Sequence, residues 1–195
     1  MINDIQDTSV DLLKDLKMNG EYTFPALDTL VDAGNKFVKD IRINLRNALN
    51  SNNLDPKEAA LIAIAVAVNE RSNRLAESFK EIALEAGATD AEIAEAYACA
   101  SLLATNNVFY RFRHFAEKES YHRMPARIKM SIMIKPVTGK AFFELMSLAV
   151  SAVNGCEACV RSHEHSVVEL GISEEKVFDA VRLSAIIVGL SKVVD

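Results

Sequence analysis

The residues of this chain that can do chemistry lie in one short stretch, Asn154-Gly155-Cys156-Glu157-Ala158-Cys159-Val160-Arg161-Ser162-His163. Cys156 and Cys159 stand at C-x-x-C spacing, His163 follows the second by four residues, and Glu144 precedes the first by twelve. Two thiols, a base and a carboxylate to steer the base make a redox site. The attacking species in such a site is the thiolate, and a free cysteine is mostly protonated at neutral pH. A helix that begins at or near Cys156, after the turn at Gly155, sets its unpaired N–H groups and its dipole against the sulfur. His163, at i+4 from Cys159 and i+7 from Cys156, shares a helix face with both thiols and can take the proton. Glu144, on the preceding helix, can bond the far nitrogen of His163 and fix its tautomer. That is nucleophile, base and orienter, with sulfur in the first role.

The second thiol has its own task. Attack on a peroxide leaves a sulfenic acid, which a neighbouring thiol condenses into a disulfide. The disulfide then returns to dithiol by exchange with an external reductant. Helix position favours Cys156 as the more accessible thiol, while proximity to His163 favours Cys159. Cys159 is taken as the peroxide-reactive thiol and Cys156 as the one that resolves it. No cofactor beyond this redox disulfide is expected. Cys156, Cys159, His163 and Glu144 can also be read as four metal ligands. No second C-x-x-C accompanies them and structural zinc rarely takes glutamate, so no metal is expected. The third cysteine, Cys99 in Tyr97-Ala98-Cys99-Ala100, reads as core. His165 points away from His163 on a helix and reads as solvated. His114 and His122 flank or join a basic, aromatic segment, Phe109-Tyr110-Arg111-Phe112-Arg113-His114-Phe115, read as packing or a subunit contact.

The elements that must position these residues read as helices throughout. Asp55-Pro56-Lys57-Glu58 is a helix start, with an N-cap acid, proline at the first helical position and a glutamate to close the box. A helix from Arg74 to Ala86 stops at Gly87, and Thr89-Asp90-Ala91-Glu92 opens the next through Ala94, Tyr97, Ala98 and Leu102. The C-terminal half repeats the plan. A helix runs from about Lys140 to Val153, a turn follows at Asn154-Gly155, and the cysteine-bearing helix ends at Gly171. Ser173-Glu174-Glu175 caps a last helix through Leu183 and Leu190. Ala67-Val68-Asn69 matches Ala152-Val153-Asn154 at an offset of 85, and after a one-residue slip Gly87 matches Gly171 and Thr89 matches Ser173. On that alignment Arg71, Arg74 and Ser78 stand where Cys156, Cys159 and His163 stand in the other copy. The expected organisation is one domain over 1–195, with an arm or short helix over 1–20, a degenerate repeat over about 55–110 and the catalytic repeat over about 138–195.

Composition agrees with a helical globular protein: 50% hydrophobic, 25% charged, with 7 glycines, 4 prolines and no tryptophan among 195 residues. A net charge of −5 gives no general attraction to nucleic acid or to an anionic membrane. No apolar run is long enough to span a bilayer, and the acidic first residues are no signal peptide, so a cytoplasmic address is expected. There the thiol pools keep cysteines reduced, and a cysteine pair reads as redox or metal chemistry rather than a staple.

Glu144, Cys156, Cys159 and His163 meet the motif E-x11-C-x-x-C-x3-H in full. On these residues the chain resembles the alkyl hydroperoxide reductase D (AhpD) group within the wider carboxymuconolactone decarboxylase-like family. The likeness extends to Asn106-Asn107-Val108-Phe109-Tyr110-Arg111, Phe143-Glu144-Leu145, Ser151 through Cys156 and His163-Glu164-His165. It runs from about Asp40 to the C-terminus. The resemblance implies an all-α fold of two related halves, a homotrimer and a thiol-dependent alkyl hydroperoxidase. It also implies an electron carrier that reduces a partner peroxiredoxin, AhpC, with electrons from a lipoyl-bearing protein. One departure is that Ala158 stands where AhpD proteins have histidine, which implies weaker direct peroxidase turnover. A decarboxylase- or lyase-like relative acting on a small lactone, and a non-catalytic metal-binding domain, are the alternative readings.

Overall fold

The computed structural model describes residues 2–18 and 23–195. The described residues form α-helices, with no strand among them. In chain order these are α1 (Ile2–Asp15), α2 (Pro25–Asp32), α3 (Phe37–Leu49), α4 (Pro56–Asn69), α5 (Asn73–Glu85), α6 (Asp90–Ala116), α7 (Glu119–Arg123), α8 (Lys140–Val153), α9 (Glu157–Glu169) and α10 (Glu174–Ser191). One 3-10 turn, Ser131–Met133, lies in the connection between α7 and α8. The all-α reading and the predicted helix starts hold. Asp55 with Glu58 and Thr89 with Glu92 form complete capping boxes, and the Ser173 hydroxyl accepts from the Lys176 N–H. In the segment 1–20, read from sequence as an arm or a short helix, Ile2–Asp15 form α1, and residues 1, 19 and 20 lie outside the described residues.

Helices α4 and α8 form the centre and pack on each other. Every residue of α4 from Ala59 to Ala67 is buried, which an alternation of alanine with valine, isoleucine and leucine permits because small side chains let neighbouring helices close in on all sides. Around this pair, α5 and α6 pack on α4 while α9 and α10 pack on α8, and each of α6 and α10 also touches the other half's central helix.

The two halves correspond at a constant offset of 84, as from Arg71 to Gly155, which share a left-handed φ of 62° and 63°. Ser72 and Cys156 follow as the N-caps of α5 and α9, at φ/ψ of −83°/87° and −93°/90°. Their N–H groups donate to Ala67 and Ser151 respectively. The offset of 85 with a later slip is therefore corrected. Hydrogen bonds set the turn, and the identical triplets are one residue out of structural register. Ser72, Leu75 and Phe79, rather than Arg71, Arg74 and Ser78, occupy the places of Cys156, Cys159 and His163, and Ala60 occupies that of Glu144. All four are fully buried.

Each half also clamps the other through a buried acid at the same place in the repeat. Glu95 of α6 accepts from the N–H groups of Val137 and Thr138 at 2.6 and 2.8 Å, holding the loop that leads into α8. Asp179 of α10 accepts from the Asn53 amide at 2.8 Å, holding the loop that leads into α4. Helices α2 and α3 had no counterpart in the sequence reading, although Val38, Ile41, Leu45 and Ala48 are buried at helical spacing in α3. The chain beyond α1 closes the face of α5 that matches the cysteine-bearing face of α9. There the Ser78 hydroxyl donates to the Leu16 carbonyl, and Leu16 and Met18 are buried.

Ser72 supplies a test of the register. Replacing an N-cap serine by alanine ordinarily costs about 1 kcal/mol. Ser72 makes no capping bond and its buried hydroxyl has no partner. Ser72→Ala is expected to leave stability unchanged or to raise it by up to about 1 kcal/mol. Urea denaturation at fixed protein concentration reads this directly, and a clear loss of stability would contradict it.

Candidate functional site

The site is assembled from α8 and α9 around one buried carboxylate. Glu144 lies one turn into α8 and only 4% of it is exposed. Its Oε2 meets Nδ1 of His163 at 2.6 Å, and its Oε1 meets the Lys140 ammonium at 2.7 Å. Burial pushes the Glu144 carboxyl pKa up, but hydrogen bonds and charge from His163 and Lys140 outweigh that and hold it below its ordinary value. An ionised carboxylate only accepts. Nδ1 of His163 therefore carries the hydrogen, and Nε2 is left as the acceptor nitrogen. Lys140 also donates to the Met133 carbonyl at 2.9 Å, so the same ammonium that neutralises Glu144 ties down the loop before α8.

The thiols enter through the turn that Gly155 makes possible at φ 63°, a conformation that costs a side-chain-bearing residue about 1 kcal/mol or more. Cys156 is the N-cap of α9 and Cys159 lies in its first turn, against the unpaired N–H groups. The two are joined by a disulfide with Cα atoms 5.3 Å apart. The expectation that helix position makes Cys156 the more accessible is corrected: Cys156 is 0% exposed and Cys159 7%. The Cys156 side chain is turned into the core. Cys159 instead borders a cavity of about 330 Å³. His163 shares that wall, Asn106 and Tyr110 of α6 form a second, and Met130 and Met133 of the loop form a third.

The four expected site residues thus lie together, and the other candidates do not join them. Cys99 is buried, its Sγ 3.7 Å from the Ser147 hydroxyl, and burial pushes its thiol up to about 12. His165 is exposed beside Glu169 at 3.2 Å, and His114 reaches Glu157 at 3.2 Å. His122 lies on the exposed helix α7. Among the described residues no group of three or more His, Cys, Asp or Glu is gathered to hold a metal ion. None of the described helices is long and apolar enough to cross a membrane. The sequence reading missed Lys140, Asn106 and the two methionines. Lys140 sits at i−4 from Glu144, a spacing that pairs charges on a helix. Asn106 continues the buried face of α6 that runs through Ile93, Ala96 and Leu103. A polar residue on such a face is a signal.

Comparison with known proteins shows the family of the chain. The carboxymuconolactone decarboxylase family matches residues 38–118 and 120–195, two segments that meet beside α7. The alkyl hydroperoxide reductase AhpD of Anaeromyxobacter dehalogenans (strain 2CP-C) is 44% identical over 162 residues, 83% of this chain and 87% of that protein. The AhpD of Solibacter usitatus (strain Ellin6076) is 38% identical over 169 residues, 87% of this chain and 95% of its own. That of Rhodopseudomonas palustris (strain BisB18) is 38% identical over 162 residues, 83% of this chain and 89% of its own.

The lowered pKa of Glu144 has a consequence for stability. Its folded value lies below the ordinary 4.5, so its contribution is present above that value and is lost as pH falls through the folded one. The stability advantage of the wild type over Glu144→Gln should therefore be widest near neutral pH and narrow in acid. Denaturation midpoints of both proteins across that range measure it. A gap that widens as pH falls would reverse the assigned sign.

Proposed function

The chain belongs to the carboxymuconolactone decarboxylase family, and from that premise we propose that it acts as an alkyl hydroperoxide reductase of the AhpD kind, a thiol peroxidase and disulfide reductase. The observation that carries this reading is the placement of Cys159 on an apolar cavity beside His163, whose Nδ1 is held by Glu144 at 2.6 Å. In the reduced protein, Nε2 of His163 takes the Cys159 proton. The thiolate attacks the terminal oxygen of the hydroperoxide. A sulfur–oxygen bond forms, the O–O bond breaks, and the alkoxide leaves with the proton that His163 held. The products are an alcohol and a Cys159 sulfenic acid. Cys156 then displaces the hydroxyl as water and closes the disulfide.

Return to dithiol needs two electrons from an external dithiol, for which a lipoyl group is the proposed donor. A peroxiredoxin of the AhpC kind is the proposed protein partner, reduced by exchange at the same disulfide. The methionine walls suit an organic peroxide over hydrogen peroxide. Ala158 leaves the protonation of the alkoxide to His163, so peroxide turnover depends on this histidine more than disulfide exchange does. Val108, Phe112, Phe115 and Ile134 are exposed, and a homo-oligomer, a trimer in this reading, covers such a surface. No metal or organic cofactor takes part.

The direct test is mass spectrometry of the reduced protein after thiol alkylation, with and without an alkyl hydroperoxide. The expected product has a Cys156–Cys159 disulfide and a reduced Cys99, and Cys156→Ser should accumulate a sulfenic acid at Cys159. A disulfide that includes Cys99, or sulfenic acid only at Cys156 in Cys159→Ser, would refute the assignment. His163→Ala is expected to slow peroxide-driven oxidation by about a hundredfold, and Glu144→Gln by less. Alkylation rates against pH should shift in both variants, since both act on the thiol's proton. Unchanged profiles would remove the relay.

A further inference from the structure

One buried polar group in the cavity has no task in the reaction as drawn. Asn106 of α6 is 5% exposed and lines the cavity with Cys159 and His163. Its Oδ1 has no hydrogen-bond partner. Its Nδ2 donates to Sδ of Met130 at 3.1 Å, and a thioether is a weak acceptor. The neighbouring Asn107 shows what a structural amide looks like here. Its Oδ1 accepts from Asn154 at 2.9 Å and its Nδ2 donates to Ser151 at 3.0 Å. Buried polar side chains are almost always satisfied, so an amide with one orphan atom and one poor partner, at the edge of a cavity, points to a ligand.

We propose that Asn106 is the hydroperoxide-binding residue of this site, its carboxamide pairing with the –O–O–H group itself. The inference rests on the peroxidase reading above. A hydroperoxide carries an O–H donor and, on the adjacent oxygen, an acceptor. A carboxamide offers an acceptor and a donor across one carbon, so the two can close a cyclic pair. Oδ1 accepts from the terminal hydroxyl, and Nδ2 leaves Met130 and donates to the oxygen that bears the alkyl group. When Cys159 sulfur attacks the terminal oxygen and the O–O bond breaks, the electron pair goes to that second oxygen. The Nδ2–H then faces a developing alkoxide, to which its hydrogen bond is stronger. The proton still comes from His163. Asn106 supplies hydrogen bonding at the leaving oxygen, which Ala158 lacks the atoms to provide. A disulfide has no donor hydrogen and cannot complete the pair. Asn106 therefore favours peroxides over disulfides as partners for the same thiols.

The test compares the two reactions in Asn106→Leu and in the wild type. Disulfide formation in the reduced protein is followed by stopped flow with cumene hydroperoxide. Reduction of the Cys156–Cys159 disulfide is followed separately with dihydrolipoamide. The expected result is a peroxide rate lower by about ten- to a hundredfold, with the dihydrolipoamide rate changed by no more than about twofold. Asn106→Ser, which keeps a small donor and acceptor, should recover part of the peroxide rate. Equal peroxide rates in Asn106→Leu and wild type would overturn the inference. So would a parallel fall in both reactions, since it marks a structural role. A wild-type protein that exchanges with dihydrolipoamide yet does not react with peroxide would overturn the peroxidase reading itself, and the inference with it.

Discussion

The arrangement of the site depends on one charge, the carboxylate of Glu144, kept ionised inside the protein. An unpaired buried carboxylate would take up a proton, and a protonated acid would no longer dictate the tautomer of His163. Two partners prevent this. Lys140 supplies a full positive charge from one turn earlier on the same helix, and His163 supplies an N–H from α9. The first contact is local and forms with α8. The second is long-range and forms only when α9 docks on α8. The same carboxylate thus reports correct packing of the two helices and fixes the tautomer of His163. Because Lys140 also bonds the Met133 carbonyl, the loop that roofs the cavity is tied to the charge beneath it.

The two halves show how much of this is chemistry and how much is scaffold. Backbone turns, glycine stops, N-caps and acid clamps recur at one constant offset. The side chains at the site do not. Ala60 stands at the place of Glu144, Phe79 at that of His163 and Leu75 at that of Cys159, and each of the three is fully buried. Only Ser72 keeps a trace of the first sulfur, as an isosteric hydroxyl with nothing to bond. Where α9 opens onto a cavity, the matching face of α5 is covered by the chain after α1. The residues of α5 that match Cys156, Cys159 and His163 are all core, while Cys159 and His163 border a cavity.

Much of this was legible in sequence because it rests on short-range physics. Capping boxes at Asp55 and Thr89, the break at Gly155 and the i+4 relation of Cys159 to His163 are all local. What failed was long-range or conformational. The repeat register was misjudged by one residue because identical triplets were matched in place of equivalent turns. Arg71, a non-glycine residue with φ 62°, hid its equivalence to Gly155. The accessibility of Cys156 was misjudged because helix position says where a residue sits along an axis and not which way an extended N-cap points. Helices α2 and α3 were not assigned, although the buried positions of α3 follow a helical period.

The amides of α6 carry the same lesson one step further. Past Leu103 the buried face of the helix turns polar, and Asn106 and Asn107 are neighbours with opposite fates. Asn107 points toward the junction of α4 and α8, where Asn69 and Asn154 bond each other at 2.9 and 3.1 Å and Arg111 caps the Asn154 carbonyl at 2.6 Å. Those contacts hold the turn that delivers Cys156. One residue earlier, a rotation of about 100° around the helix turns Asn106 to the cavity instead. The same side chain therefore serves as structure on one side of α6 and stands unsatisfied on the other. A helix that carries both must be fixed in rotation, because a small roll would exchange a satisfied amide for an orphaned one in the core. The amide ladder to Asn154 supplies that fixation, and in doing so it keeps the unsatisfied carboxamide on the wall that faces Cys159.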